Sequence, residues 1–441
     1  MTDNKSFRGI LGKNKDFFNI FWAVSSKLMS GVKLVVIGII IARFLGPDKF
    51  GLYSYVISFV TLLSVLAEFR LQNILVRELS EDRKGAETLL GSAWVTCIFF
   101  AVTGYIILLV LTVGLESNHN LRFYIYIYGI SYLFQTIRFL RAFFISKYLN
   151  GIIFKVEFLV GTLILIGAIL LGLFGGNVMS FIILRLADFL LISLFLILFY
   201  RIRFSKLNHW RLDLEVAKSL VKLSSPLVLS SFAMIIFQQL DKIMIKYFLD
   251  EYAVGQYSAA SSLISLIVFV PVVLTEVISP YLISIKLKEG MEQYKKKAQL
   301  FSDIIFWGSM VISLVVALLS NFIINIIYGN RFTEAIEVMR IFSWQGVFVA
   351  MGAIAAQIMI IDNKHQIAYV KSLSGGLINI VLNLFWIPQY GIMGAVWASL
   401  VAYAISSYGS HFFIKRYRYI FYLQTNSIAR GIVNIYNEYK K

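Results

Sequence analysis

The chain has 441 residues, of which 59% are hydrophobic and only 15% charged, and its mean hydropathy is +0.77. Soluble domains carry about 25% charged residues, so an integral membrane protein is expected and a water-soluble globular one is excluded. A net charge of +17 would point to nucleic acid in a soluble protein, but in a chain this apolar its distribution reads as a topology signal and no nucleic-acid partner is expected.

Apolar runs of about 20 to 28 residues, the length that crosses a bilayer, predict an all-α fold. The spans fall near 17–42, 52–76, 89–114, 121–146, 152–174, 178–200, 219–247, 253–284, 300–328, 334–361, 366–387 and 391–414. The first is too long for a signal peptide, contains Lys27 and Lys33, and ends in Arg43-Phe44-Leu45-Gly46-Pro47 rather than a small-residue cleavage site. The polar stretch from Arg201 to Lys218 is the longest linker and divides six helices from six, giving lobes 1–206 and 207–415. In the tail, 416–441, Ile428, Ile432, Ile435, Tyr436 and Tyr439 share one helical face, which predicts a helix lying on the anionic inner leaflet among membrane lipids. Pro271 and Pro280 predict a bend in the eighth span, and Pro226 marks the first turns of the seventh or a bend in it.

The two lobes carry a repeat. Phe44-Leu45 … Gly51-Leu52-Tyr53-Ser54 returns 204 residues later as Phe248-Leu249 … Gly255-Gln256-Tyr257-Ser258. Both copies follow one apolar run and open another, the mark of transporters built from two similar bundles around a central site. Gly51 and Gly255 are expected to give these turns their freedom.

Chemistry of other kinds is poorly supplied. One cysteine, Cys97, permits neither an intrachain disulfide nor a thiol metal site, and His119, His209, His365 and His411 are too scattered to form a ligand pair. No Gly-x-x-x-x-Gly-Lys-Ser/Thr phosphate loop occurs, so neither a bound cofactor nor an ATP-driven motor is expected.

Charges at membrane depth carry the functional reading. Lys27 and Lys33 sit roughly 15 and 24 Å along the first helix. Arg138 and Arg141 lie one turn apart in the fourth span, where like charges repel unless an anion or a carboxylate lies between them. Arg70 adds a cation beside Glu68. These five describe a cationic cavity for an anionic substrate on one reading and internal ion pairing on the other. Arg185 and Asp188, three residues apart, read as a structural ion pair. Lys222, Glu157 and Asp303 are expected to snorkel to the inner surface. Asp241, Glu276 and Glu68 are the carboxylates suited to a coupling proton or sodium ion, with a salt bridge as the alternative role for Asp241.

The segments Asn19 … Trp22 … Lys27, Ala42-Arg43-Phe44-Leu45-Gly46-Pro47-Asp48-Lys49-Phe50-Gly51-Leu52-Tyr53, Val76-Arg77-Glu78, Asp241-Lys242, Asn379-Ile380-Val381-Leu382-Asn383 and Ile387-Pro388-Gln389-Tyr390-Gly391 resemble bacterial polysaccharide flippases of the Wzx type. These belong to the multidrug/oligosaccharidyl-lipid/polysaccharide exporter superfamily. The resemblance implies two pseudo-symmetric six-helix bundles in a V-shaped, alternating-access fold in the bacterial cytoplasmic membrane. It also implies an undecaprenyl-pyrophosphate-linked oligosaccharide as substrate, for O-antigen, capsule or another surface polysaccharide, with a polymerase and a chain-length regulator as partners. In that scheme Arg43, Tyr53, Arg77 and Tyr257 are structural and the protein is a transporter rather than an enzyme. An ion-coupled exporter of organic cations on the same fold is the alternative, but it would favour buried acids over buried cations. A membrane-embedded glycosyltransferase would need a large loop that the chain lacks.

Twelve spans put both termini on one side, whose loops then hold 27 Lys and Arg against five on the other, which makes that side the cytoplasm. Reporter fusions after Lys206 and Lys297 should therefore report the cytoplasm, and fusions after Gly176 and Asn330 the outside. A reversed signal at any one of the four would break this topology.

Overall fold

The computed structural model describes residues 4–81, 85–364 and 368–440, and among these it contains helices and no strand. Arg83, Lys84, His365 and Lys441, which enter the charge and histidine patterns above, lie outside the described residues. Nine helices among those described are long and apolar enough to cross a membrane, so this is a multi-pass membrane protein.

Helix α1 (Asn4–Glu68) carries the chain through two predicted spans, because a kink interrupts it at Gly46 (φ 74°, ψ 173°). That left-handed conformation suits glycine, and Pro47 follows where a helix's first turn has no use for its missing N–H. The second span breaks again at Phe69 and Arg70, both at positive φ (44° and 51°), before α2 (Leu71–Glu81). After α3 (Ala86–Leu115) the fourth span is assembled from α4 (His119–Gly129), α5 (Ser131–Gln135), a 3₁₀ turn over Thr136–Phe139, and α6 (Leu140–Ser146). Then come α7 (Asn150–Leu173), α8 (Val178–Arg203), α9 (Leu214–Phe248), α10 (Glu251–Lys288) and α11 (Met291–Ile327). The tenth span is α12 (Glu334–Phe342) with α13 (Gln345–Ile361), and the eleventh is α14 (Ala368–Tyr390). The twelfth is α15 (Ile392–Ala404), a π-helical turn over Ile405–Gly409, and α16 (Ser410–Phe413); α17 (Arg418–Tyr439) closes the series.

Local chemistry sets several of the helix starts. The side-chain oxygens of Asn118, Asn177 and Asp250 accept from the free amides of Asn120, Ser180 and Ala253 at 2.9, 3.0 and 2.8 Å. On α3, Phe99, Val102, Ile106, Val110 and Val113 are exposed at helical spacing. An apolar stripe of that kind faces lipid at no cost, whereas the backbone must satisfy itself inside the helix.

The chain forms two compact units: Met1–Leu45 with Val56–Phe232, and Gly46–Tyr55 with Ala233–Lys441. The polar stretch Arg201–Lys218 lies wholly in the first unit and is docked there. Asp213 and Ser92 exchange hydrogen bonds at 3.0 and 3.1 Å, and Trp210 donates to the Tyr200 hydroxyl at 3.1 Å.

The repeat glycines act otherwise than expected. Gly51 and Gly255 are both helical, and neither has positive φ. Their importance is close approach: a Cβ on Gly51 would stand 1.7 Å from the Glu251 carbonyl oxygen, and one on Gly255 would stand 2.0 Å from that of Pro47. The turn freedom belongs to Gly46 instead.

The tail segment is a helix, as expected, but one face of it is docked on α11 in the second unit. Trp307 donates to the Ser427 carbonyl at 3.0 Å, Asn434 to Asp303 at 2.9 Å, and Lys297 pairs with Glu438 at 2.8 Å. Its apolar residues Ile428, Ile432, Val433 and Tyr436 face away, exposed.

Gly51→Ala should destabilise the purified protein by at least about 1–3 kcal/mol, the usual cost of overpacking, because the new methyl group would meet rigid backbone. Gly31→Ala, with nothing within 4 Å of its Cβ, serves as the control. Equal melting temperatures for the two variants in detergent would refute the close-approach role.

Candidate functional site

Five helical segments of the first unit bring their buried charges together. Lys33 of α1 donates to both oxygens of Asp188 on α8, at 2.7 and 3.0 Å, and the two side chains are 8% and 5% exposed. Arg185, one turn before Asp188, adds a third hydrogen bond at 3.2 Å, so the pair read from the i, i+3 spacing is present and is shared with Lys33. Arg138, on the 3₁₀ turn, binds Glu68 at 2.6 Å. Arg141, on α6, binds Glu157 of α7, whose other oxygen accepts from Ser26 of α1. The two arginines of the fourth span thus escape their mutual repulsion by taking one carboxylate each. The pairs are also electrostatic neighbours: Arg141 interacts with Arg138 and Glu68, and Lys33 with Glu157.

Arg70 completes the set. It lines a cavity of about 160 Å³ together with Glu68, Gln72, Asn73, Gln135 and Arg138. Its Nε is buried and, among the described residues, has no hydrogen-bond partner. Two consecutive residues in the left-handed region hold it there, a conformation that costs non-glycine residues about 1–2 kcal/mol each. Phe69 offsets part of that cost, stacked on Phe100 with ring centroids 3.8 Å apart. Counting Arg70 and Arg185, five cations meet three carboxylates in this cluster, so the site is both ion-paired and positive in balance among the described residues. Lys27 is exposed, six residues before Lys33 on α1.

Asp241 of α9, in the second unit, is 4% exposed and accepts hydrogen bonds from neutral side chains. Tyr257 of α10 donates to it at 2.6 Å and Asn383 of α14 at 2.7 Å, and Ser399 of α15 donates as well. Asn379 supports the cluster by donating to the Ser399 hydroxyl at 3.0 Å. The Asn383 amide oxygen is buried and has no partner among the described residues. One carboxylate among amide and hydroxyl oxygens suits a hard monovalent cation or a proton. No group of three His, Cys, Asp or Glu able to hold a metal ion occurs among the described residues.

The remaining sequence candidates stand apart from both clusters. Glu276 is exposed on α10, roughly 28 Å along the helix from Tyr257. Arg43 is exposed, and Arg77 donates to its neighbour Glu78 at 2.8 Å. Tyr53 is buried and stacks on Phe50. Glu157 and Asp303, expected to reach the inner surface, are 3% and 0% exposed. Snorkelling loses because donors within the protein are nearer than water; Asp303 accepts from Gln299 at 2.7 Å and from Asn434. Lys222 is exposed. Sequence reasoning missed Tyr257, Asn379, Asn383 and Ser399 as the shell of Asp241. The only signal was that Asn379 and Asn383 share a helix face four residues apart.

Residues 40–337 match the polysaccharide biosynthesis protein family. No curated protein matches the sequence. Among solved structures the chain is similar to the lipid II flippase MurJ in an inward closed conformation, at 15% identity and TM-score 0.71, over 94% of this chain and 92% of that one. It is similar to an inward-facing MATE family multidrug resistance transporter of the MOP superfamily, at 13% identity and TM-score 0.71, over 92% and 99%. A MOP superfamily transporter from Pyrococcus furiosus matches at 12% identity and TM-score 0.60, over 92% and 94%. The chain belongs to the polysaccharide biosynthesis protein family and has the all-helical membrane fold of the MOP superfamily transporters.

Proposed function

We propose that the protein is a flippase that moves an undecaprenyl-pyrophosphate-linked oligosaccharide from the inner to the outer leaflet of the bacterial cytoplasmic membrane. The observation that carries this reading is the positive balance of the first unit's charge cluster, with the Arg70 Nε unpartnered among the described residues at its cavity. A pyrophosphate cannot cross hydrocarbon alone, and charge-assisted hydrogen bonds from guanidinium groups offset its desolvation. The Arg138–Glu68 pair is partly open to solvent, so an entering phosphate oxygen competes with Glu68 for the guanidinium. Lys33, Arg141 and their acids are more deeply buried and hold the helices in place. An exporter of organic cations would need the opposite balance. The family description supports a polysaccharide role, and a polymerase and a chain-length regulator are the partners this role calls for.

The Asp241 cluster is the proposed coupling site. A cation there would replace the hydrogens that Tyr257 and Ser399 now point at the carboxylate, and the Asn383 amide oxygen would add a ligand. Residues that bind the cation then draw α9, α10, α14 and α15 together, so the ion gradient acts on helix packing rather than on the cargo directly.

The test uses purified protein in vesicles containing a polyprenyl-pyrophosphate oligosaccharide whose exposure outside is measured with a lectin. Arg70→Gln and Lys27→Ala should slow the appearance of outside sugar at least tenfold, with normal insertion. A phosphate-free polyprenyl glycoside should not be carried. Transport of both lipids at equal rates, or full rates in both variants, would sink the headgroup assignment.

Asp241→Asn should slow the same reaction and remove its dependence on an imposed sodium or proton gradient. A gradient dependence identical to the wild type would leave Asp241 a structural partner.

A further inference from the structure

His411 and Lys371 form a second polar cluster in the second unit, outside the sites above. The twelfth span ends in the π-helical turn Ile405–Gly409 and then His411, which is 0% exposed. Lys371 lies in the first turn of α14 and is 9% exposed. By sequence alone that lysine counts among the inner-loop cations, and the histidine has no role.

The tautomer of His411 is set by its neighbour. The Gln424 amide nitrogen donates to the carbonyl oxygens of Met351 and Ser407, both at 3.0 Å. Those two acceptors fix the amide's orientation, so its oxygen is the atom that meets His411 Nδ1, at 2.9 Å. An amide oxygen only accepts, hence Nδ1 must carry the hydrogen. The neutral ring then presents a bare lone pair at Nε2, and Nε2 is buried with no hydrogen-bond partner among the described residues. Leaving a buried acceptor without a donor is costly, so its retention needs a reason.

The groups around the ring narrow that reason. α14 presents Lys371, whose charge acts on His411. The segment before α17 presents the edge of Tyr417, at 6.1 Å between ring centroids, and α17 itself presents the neutral Gln424. Among the described residues no carboxylate forms an ion pair with either Lys371 or His411. The helices are packed tightly here: a Cβ on Gly375 of α14 would stand 2.8 Å from Ser406, and one on Gly352 of α13 would stand 2.7 Å from the Ser407 hydroxyl. Ser406 and Ser407 lie about one turn before His411, and Gly375 about one turn after Lys371, so this packing fixes the helices that carry the two bases. A buried lone pair with no donor is a site for a proton.

We propose that His411 Nε2 is a proton-binding site set beside Lys371, and that its occupancy is linked to the Asp241 cluster through the helix pair both share. A proton taken from the aqueous phase forms the Nε2–H bond and makes the ring cationic while Nδ1–H stays on Gln424. Two like charges then face each other at low dielectric without a counter-ion, which favours moving α14 and the end of the twelfth span apart. α14 also carries Asn379 and Asn383, roughly 12 and 18 Å along from Lys371, and α15 carries Ser399 roughly 18 Å from His411. The π turn between Ser399 and His411 is the element able to move: it holds one extra residue, and moving it past a residue turns that residue by about 100° around the helix axis. The site is separate from Asp241, and its existence does not depend on the identity of the cargo.

The intact protein labelled with ¹⁵N-histidine, in lipid nanodiscs, tests this directly, with the His411 signal identified by its absence in His411→Gln. At pH 7.5 the ring should show the Nδ1–H tautomer, and on acidification Nε2 should gain the proton. In Lys371→Met this should occur at a higher pH, since burial still acts on the ring but the lysine charge that also acts on it is gone. Lys371→Gln is the second variant, and unchanged signals from the other histidines confirm folding. An Nε2–H tautomer at neutral pH, or one titration midpoint for wild type and both lysine variants, would overturn the proposal.

Discussion

A charge below the membrane surface must find its partner inside the protein, and the first unit is arranged around that constraint. An exposed ion pair contributes about 0–1 kcal/mol, whereas breaking a buried one by removing a partner costs about 3–5 kcal/mol. Lys33–Asp188 therefore acts as a tie between α1 and α8, and Arg141–Glu157–Ser26 as a tie joining α6, α7 and α1. The interruptions in the second and fourth spans fall beside these ties. An unbroken fourth helix would hold Arg138 and Arg141 in a fixed relation one turn apart; the 3₁₀ turn instead lets each reach a different acid. The helix irregularities and the ion pairs are thus one arrangement.

The second unit meets the same constraint with neutral donors. Asp241 accepts from a tyrosine, an asparagine and a serine, and Asp303 from a glutamine and an asparagine. A carboxylate held by neutral groups keeps its negative charge toward anything that enters, while a carboxylate held by arginine does not. The charge cluster of the first unit therefore has positive charge to offer, and the Asp241 cluster of the second has negative. Under the function proposed above, one cluster would serve an anionic cargo and the other a coupling cation, and the division is present although the sequence repeats between the two halves of the chain.

Much of the fold was legible because bilayer thickness sets a length and apolar runs report it. Predicted spans 152–174 and 178–200 meet helices Asn150–Leu173 and Val178–Arg203. The Arg185–Asp188 pair was legible because one helical turn is a local distance. The Lys33–Asp188 pair was not, since 155 residues separate its members and no local pattern joins them. Glu157 and Asp303 misled because depth along a helix does not reveal which face meets a donor. The docked side of the tail was hidden for a related reason. Its apolar stripe was visible, but Gln424, Ser427 and Gly431, a small polar face, form the docked side. In a membrane protein the apolar face can look outward, so the usual reading of amphipathicity reverses.

The repeat itself has a physical meaning beyond ancestry. Gly51 lies against the carbonyl of Glu251, and Gly255 lies against the carbonyl of Pro47. In the repeat's register Pro47 corresponds to Glu251 as Gly51 does to Gly255, so each glycine faces the residue four positions before the other. The contact is reciprocal, as in a two-fold symmetric interface, where one patch must serve as both surface and counter-surface. That explains why both copies keep glycine while the charged residues around them diverge. A side chain at either position would break the contact from its own side, and nothing in the other copy could restore it. Backbone packing holds the two copies to one pattern; the charges, free of that demand, are where the two halves came to differ.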